Sequence, residues 1–198
     1  MRISQTLLLA ATLISRHAAT QRSVAPQQHV PAAVTRIAIS QTGHYRLQAG
    51  RFGAVWVDIG SELLMASGIT GRHTVRHVGS GNAGYVHPSA AVQFGKPKNG
   101  TGQLVIVLPR GTHQEFTILP IVIDKQLEDA SGRNLTLFVA LENCRIRDIR
   151  NSGDESEWIG GEPRTISLRA GGTAWIAPGI HHFQNLGSTP AKLVGIEW

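Results

Sequence analysis

The sequence predicts an all-β protein, and three features of its 198 residues indicate this fold class. Short runs rich in β-branched and aromatic residues recur at close intervals, and Gly, Pro, Asn or Asp separates most of them. Glycine is frequent, with 22 residues, and only 16% of the residues are charged, which argues against a coiled coil or a helical array. Beyond the first twenty residues, the sequence has no convincing amphipathic helical pattern longer than about ten residues. Together these features predict a sandwich or barrel of short strands.

Nine runs are predicted as strands from this pattern. In chain order they are residues 34–40, 54–58, 74–78, 103–108, 115–123, 135–141, 164–168, 174–177 and 191–198. Apolar and polar residues alternate in 164–168, which is typical of a strand with one buried face. Residues 104–107 and 138–141 are continuously apolar, which predicts strands that are buried on both faces in a layered barrel.

The chain divides into four predicted segments. Residues 1–22 combine a basic start, an apolar run and small residues, the pattern of a secretory signal peptide, so a secreted or periplasmic location is expected. An organellar transit peptide, an ordinary N-terminal helix and a disordered tail are the alternatives. Residues 23–33 are predicted as a linker, because they are rich in Gln and Pro. Residues 34–99 are expected to form an N-terminal β extension or a degenerate β lobe, and residues 100–198 a barrel.

Charge and composition exclude several classes of partner. The net charge is +6, and it is uneven: residues 1–114 hold eleven Lys or Arg and two acidic residues, whereas residues 115–198 carry a net charge of −3. Nucleic-acid binding is not expected, because the basic residues are dispersed and no aromatic ladder accompanies them. No apolar stretch approaches the roughly 18 residues of a membrane span. Cys144 is the single cysteine and is predicted to be a buried, inert thiol.

A family resemblance lies near the carboxyl end of the sequence. Gly172 is followed after five residues by Pro178, and Asn185 is followed by Gly187 and Pro190. Residues 168–197 therefore resemble the second conserved motif of the cupin superfamily, G-x5-P-x-G-x2-H-x3-N. The resemblance implies an all-β, cupin-like jelly-roll barrel, expected here as one domain with N-terminal extension strands.

The motif contains two adjacent histidines, of which one can face the barrel interior, because neighbouring strand residues point to opposite faces. Counting back from Asn185 selects His181. Counting forward from Gly179 selects His182, because this chain has Pro-Gly where the family has Pro-x-Gly. The H-x3-N spacing favours His181, since it keeps the histidine and Asn185 on one face. That both histidines are partly exposed residues of the rim is the alternative.

Metal binding would need further ligands. Metal-binding cupins usually take them from a first motif that contains His-x-His, and no His-x-His occurs in this chain. His113 and Glu115 lie two residues apart and could share a strand face. With His181 they form the predicted site for a divalent transition metal.

Three functions follow from the resemblance. The first is an exported cupin-like barrel that binds a small molecule in its interior, with the metal site degenerate or absent. The second is a metal-dependent cupin enzyme, of dioxygenase or isomerase type, acting on a small organic substrate. The third is a structural, oligomer-forming β-domain, in which the protein would be a homodimer. In the first, the predicted ligand-binding residues are Trp175, His181, His182, Phe183 and Gln184.

Overall fold

The computed structural model describes residues 32–60, 62–69, 72–110, 116–132, 135–151 and 159–198, with the backbone alone at 68–69, 72–73 and 126–132. The described residues form sixteen β-strands and no α-helix, and none of them belongs to a helix that could cross a membrane. The all-β prediction is therefore confirmed. The strands are β1 (Ala32–Ile39), β2 (His44–Gln48), β3 (Ala54–Asp58), β4 (Leu63–Ile69), β5 (Arg72–Val78), β6 (Ala83–Val86), β7 (Ala91–Gly95), β8 (Gly102–Pro109), β9 (Thr117–Ile123), β10 (Gln126–Gly132), β11 (Thr136–Ala140), β12 (Cys144–Arg150), β13 (Arg164–Leu168), β14 (Thr173–Ile176), β15 (Gly179–Asn185) and β16 (Ala191–Glu197).

The first eight strands form one jelly roll, which we call the first barrel. Its two antiparallel sheets have the strand orders β1-β8-β3-β6 and β2-β7-β4-β5. β8 lies between β1 and β3, with Leu104 opposite Ile37 and Ile106 opposite Trp56. The space between the two sheets is filled by an apolar cluster that includes Trp56 and Phe94, whose ring centroids lie 5.2 Å apart.

The last eight strands form a second jelly roll, the second barrel. Its sheets have the strand orders β14-β11-β16-β9 and β10-β15-β12-β13. When the first of these sheets is read from β9 to β14, both orders repeat those of the first barrel, with every strand number raised by eight. Phe138, Ile146 and Phe183 belong to the apolar cluster between the two sheets.

The two barrels pack through one sheet each, and we call β1-β8-β3-β6 and β14-β11-β16-β9 the facing sheets. Val55, Val57 and Val105 of the first barrel share one buried cluster with Val139 and Val194 of the second. Alternate residues on the same strands face the barrel interiors. This arrangement confirms the predicted burial on both faces for residues 104–107 and 138–140, whereas Leu141 is only half-buried.

The division of the chain differs from the sequence-based expectation of a barrel that starts at residue 100. β8 pairs with both β1 and β3, so residues 102–109 complete the first barrel. The strands expected to form an N-terminal extension or a degenerate β lobe are thus themselves a jelly roll. The predicted linker (23–33) ends inside β1, which begins at Ala32. The predicted signal peptide (1–22) lies outside the described residues.

Candidate functional site

His181 lies on β15 and faces the interior of the second barrel. Its side chain is buried, and its ring stacks on that of Phe183, with the centroids 5.6 Å apart and the planes within 5° of parallel. Phe183 lies two residues further along the strand and belongs to the interior core. Strand alternation therefore turns His182 to the opposite face. His181 is the histidine that the H-x3-N spacing favoured.

Both ring nitrogens of His181 lie within hydrogen-bond distance of an oxygen atom. Nδ1 is 2.6 Å from Oδ1 of Asp148 on β12, and Nε2 is 2.9 Å from the carbonyl oxygen of Ala177. Because a backbone carbonyl can only accept, Nε2 carries a proton. The other carboxylate oxygen of Asp148, Oδ2, accepts a hydrogen bond from Arg164. Both ring nitrogens are therefore engaged by oxygen atoms of the protein.

Asp148 is held between two basic side chains, those of His181 and Arg164. Arg164 of β13 lies directly opposite Asp148 in the strand ladder, and its Nη2 is 3.1 Å from Oδ2 of the carboxylate. The same nitrogen donates a hydrogen bond to the carbonyl oxygen of Trp175, at 3.3 Å. Asp148 is 5% exposed and the Arg164 side chain is 54% exposed. Since each carboxylate oxygen has a partner, the buried charge is compensated. We call Asp148, Arg164 and His181 the Asp148 cluster.

The Asp148 cluster does not fit a metal centre. A histidine ligand needs a ring nitrogen with a free lone pair, whereas both nitrogens of His181 face oxygen acceptors. In the described part of the chain, no three His, Cys, Asp or Glu residues are grouped so that they could hold a metal ion. The other two predicted ligands, His113 and Glu115, lie outside the described residues. The three-residue metal site therefore stays a prediction.

The remaining residues predicted to bind a ligand point in different directions. Phe183 is part of the interior core, with its ring centroid 5.3 Å from that of Phe138. Gln184 is exposed on the outer face of the sheet, where its amide oxygen accepts a hydrogen bond from Arg147 at 3.2 Å. His182 is half-buried and lies on the same outer face by strand alternation. Consecutive residues of one strand cannot all line one interior.

Trp175 occupies a third position, between the two barrels. It packs against the cluster shared by the facing sheets, and its ring centroid lies 5.2 Å from that of Trp198. Its strand neighbours Ala174 and Ile176 face the interior of the second barrel instead. The sequence predicted that Trp175 lines the barrel interior. Its side chain instead lies on the face of β14 that packs against the first barrel, because β14 has an apolar cluster on each of its two faces.

Sequence reasoning missed Asp148 and Arg164. A signal was available in β12, where Ile146 and Asp148 lie two residues apart and therefore share a strand face. An acidic residue on an apolar face needs a paired cation, and β13 carries Arg164. The strand itself was not predicted, because Arg145, Arg147 and Arg150 conceal its short apolar pattern.

Comparison with protein-family models and with curated protein sequences finds no match. Solved structures do match. A variant of oxalate decarboxylase from Bacillus subtilis aligns with 84% of this chain and 68% of its own, at a TM-score of 0.57 and 9% sequence identity. The vicilin of Solanum melongena aligns with 89% of this chain and 76% of its own, at a TM-score of 0.57 and 10% identity.

These matches cover far more of the chain than either barrel alone, so both barrels contribute to the similarity. At such low identity they establish the fold and leave the activity open. The residues of the second cupin motif lie on β14, β15 and the loops beside them, as the resemblance implied. The similarity therefore shows a cupin-like fold, built from two jelly-roll barrels in tandem.

Proposed function

We propose that this protein is a small-molecule-binding module whose ligand enters the second barrel beside the Asp148 cluster, and that it does not use a metal ion. One observation carries the proposal: His181, the motif histidine that faces the interior, has both ring nitrogens engaged by oxygen acceptors. Its imidazole is then a fixed part of the wall and is not available as a metal ligand. Export of the protein belongs to the same proposal and rests on residues 1–22 alone.

Arg164 is the residue best suited to contact a ligand. Its side chain is half exposed, and Nη2 makes both hydrogen bonds that hold it in place, to Asp148 and to the carbonyl of Trp175. The other guanidinium nitrogens make no hydrogen bond within the described residues. A side chain fixed at one nitrogen presents its remaining donors in a defined orientation. Polar small molecules with an acceptor oxygen fit this arrangement.

The metal-dependent enzyme is the competing function. It needs His113 and Glu115 to converge on His181, and it needs Nε2 of His181 to leave the Ala177 carbonyl. The two functions therefore differ in the expected metal content and in the role of His181.

The metal arm of the test measures transition metals in the purified full-length protein by elemental analysis. We expect less than one metal ion per chain and a thermal unfolding midpoint that a chelator leaves unchanged. His182→Gln is the matched control for His181→Gln, because the two residues are adjacent and face opposite sides. A stoichiometric metal that His181→Gln loses and His182→Gln keeps would establish the enzyme alternative.

The ligand arm uses ligand-observed NMR with a set of small organic acids and sugars. Compounds that bind the wild type are expected to lose about tenfold in affinity on Arg164→Gln, because a charge-assisted hydrogen bond is removed. Arg147→Gln is the control, since Arg147 lies on the outer face of the same sheet. Binding that is insensitive to Arg164→Gln, or no binding by any compound in the set, would contradict the proposed interior site.

A further inference from the structure

A cleft of about 510 Å³ opens at the other end of the second barrel. The Asp148 cluster lies near the last residues of β12 and the first residues of β15, whereas this cleft lies at Cys144 and Asn185, at the opposite ends of these strands. Its volume is within the range of small-molecule sites. The cleft is lined by the start of β12, the end of β13 and the loop from β15 to β16.

Two arginines in the lining have unused hydrogen-bond donors. The side chains of Arg145 and Arg169 are exposed, and within the described residues neither forms a hydrogen bond or an ion pair. Arg147 differs, because it donates a hydrogen bond to Gln184 and does not line the cleft. A guanidinium group offers five N–H donors in a planar arrangement that matches a carboxylate or phosphate group.

The walls of the cleft are held in place by two asparagine side chains. Nδ2 of Asn185 donates to the carbonyl oxygens of Asp124 and Thr189, and its Oδ1 accepts from the backbone N–H of Gly187. Oδ1 of Asn143 accepts from the backbone N–H of Ala170, in the turn that follows Arg169. The loop and the turn are therefore ordered before any ligand binds, which lowers the entropic cost of binding.

The charge of the cleft is positive. None of its described lining residues is acidic, and the hydroxyl groups of Ser167, Ser188 and Thr189 add neutral donors. Glu142 lies close by in the chain, but Nζ of Lys192 compensates its carboxylate at 2.9 Å. An anion in the cleft would thus meet two unpaired cations and no uncompensated carboxylate.

We propose that this cleft binds the oxyanion group, a carboxylate or a phosphate, of a small molecule through Arg145 and Arg169. The site shares no residue with the Asp148 cluster, so it does not depend on the proposed interior site. Arg145, from the start of β12, and Arg169, after β13, both donate to the anion, and the hydroxyl groups of the loop complete its hydrogen bonding.

The test titrates the full-length protein with inorganic phosphate and, separately, with succinate, by isothermal titration calorimetry at constant ionic strength. Binding of either anion is expected, and the stronger of the two shows which oxyanion the cleft prefers. Arg145→Gln and Arg169→Gln should each weaken binding about tenfold. Arg147→Gln removes the same charge from the same sheet and should change the affinity less than about twofold.

Cys144 provides a second readout, because it is the single cysteine of the sequence and lines the cleft. It is half-buried, whereas the sequence predicted a buried thiol. A bound anion should slow its alkylation in the wild type and in Arg147→Gln, but not in Arg145→Gln or Arg169→Gln. Two results would overturn the proposal. One is the absence of binding of both anions. The other is an equal loss of affinity in all three variants, which would indicate a nonspecific effect of net charge.

Discussion

Asp58 and Asp148 are both buried, yet their surroundings differ in the number of polar partners. Both carboxylate oxygens of Asp148 are paired. Asp58, at the end of β3, is 0% exposed, and its Oδ1 accepts a hydrogen bond from the backbone N–H of Gly60 at 3.0 Å. Its Oδ2 is buried and has no hydrogen-bond partner in the described part of the chain. Burial raises the pKa of Asp58 from its ordinary value of 3.8 to about 6, although the Gly60 N–H acts in the opposite direction.

This raised pKa predicts that Asp58 makes the fold less stable as the pH rises. The folded state holds the proton more tightly than the unfolded state, so the stabilisation is complete below about pH 4 and is lost as the pH rises through about 6. The free energy of unfolding that is lost in this way between pH 4 and a pH above 7 is at most about 3 kcal/mol. Asp58→Asn should therefore raise the free energy of unfolding at pH 8 and leave it nearly unchanged at pH 4, as measured by urea denaturation. An equal effect at both pH values would contradict this account.

At the scale of the elements, the turn between β2 and β3 depends on one glycine. Gly53 has φ = +79°, a conformation that L side chains rarely adopt, and its N–H donates to the carbonyl oxygen of Gly50. The ring of Tyr85, from β6, covers it: a Cβ added to Gly53 would lie 2.2 Å from two atoms of that ring side chain. The Tyr85 hydroxyl donates to the carbonyl oxygen of Phe52, which fixes the ring over the turn.

Replacing Gly53 should therefore lower the stability of the fold, whereas replacing Gly50, three residues earlier in the same turn, should not. Gly53→Ala is expected to lower the free energy of unfolding by about 2 kcal/mol or more, because both the backbone and the Tyr85 ring must shift. Gly50→Ala is the matched control, since a Cβ there meets no atom within 4 Å and its φ is not positive. Its effect should stay within about 0.5 kcal/mol in the same chemical denaturation experiment. Equal effects of the two variants would show that the turn is not constrained as described.

At the scale of the whole molecule, the facing sheets make the two barrels depend on one shared core. Val57 of the first barrel and Val139 of the second are each 0% exposed in the cluster between them. Arg36 of β1 adds a polar contact, because its Nη2 donates to the carbonyl oxygen of Ala170 at 2.8 Å. Neither facing sheet could be exposed to water without uncovering a continuous apolar surface.

This shared core predicts that the barrels unfold together. Val57→Ala should lower the free energy of unfolding by about 2 kcal/mol while circular dichroism and tryptophan fluorescence still report one coincident transition. Val122→Ala, at a position that is 58% exposed on β9, is the control and should change stability by less than about 0.5 kcal/mol. Two separated transitions in the wild type or in Val57→Ala would contradict the coupling.

Much of the fold was predictable from local sequence, but not all of the strands were. The nine predicted runs correspond to β1, β3, β5, β8, β9, β11, β13, β14 and β16, and the motif analysis placed a further strand at β15. Some of the missed strands are polar, such as β2 (His44–Gln48) and β12 (Cys144–Arg150), although the apolar β4 (Leu63–Ile69) was missed as well. A strand of an outer sheet has one face in water, so its few inward residues give a weak pattern.

The candidate site was predictable only in part, for a related reason. Alternation along β15 indicates that His181 and His182 face opposite sides, and the H-x3-N spacing favours His181. The partners of His181 come from β12 and from the loop after β14, and no local pattern in the sequence joins them to it. The oxygen atoms beside both ring nitrogens became visible only in the folded chain.

By itself, the sequence determined the all-β class, the two-sided burial of the central strands and the family-like corner around Pro178, because these depend on residues close together in the chain. Only the tertiary structure decided that β8 completes the first barrel, that Trp175 lies between the barrels and that Asp148 pairs with both Arg164 and His181. The strand pairing and the Asp148 contacts join segments that are distant in the chain. The position of Trp175 depends on which of two apolar clusters, the one between the barrels or the one inside the second barrel, its face of β14 meets. Alternation along a strand shows which residues share a face, but the layer that a face meets depends on the packing of the whole chain.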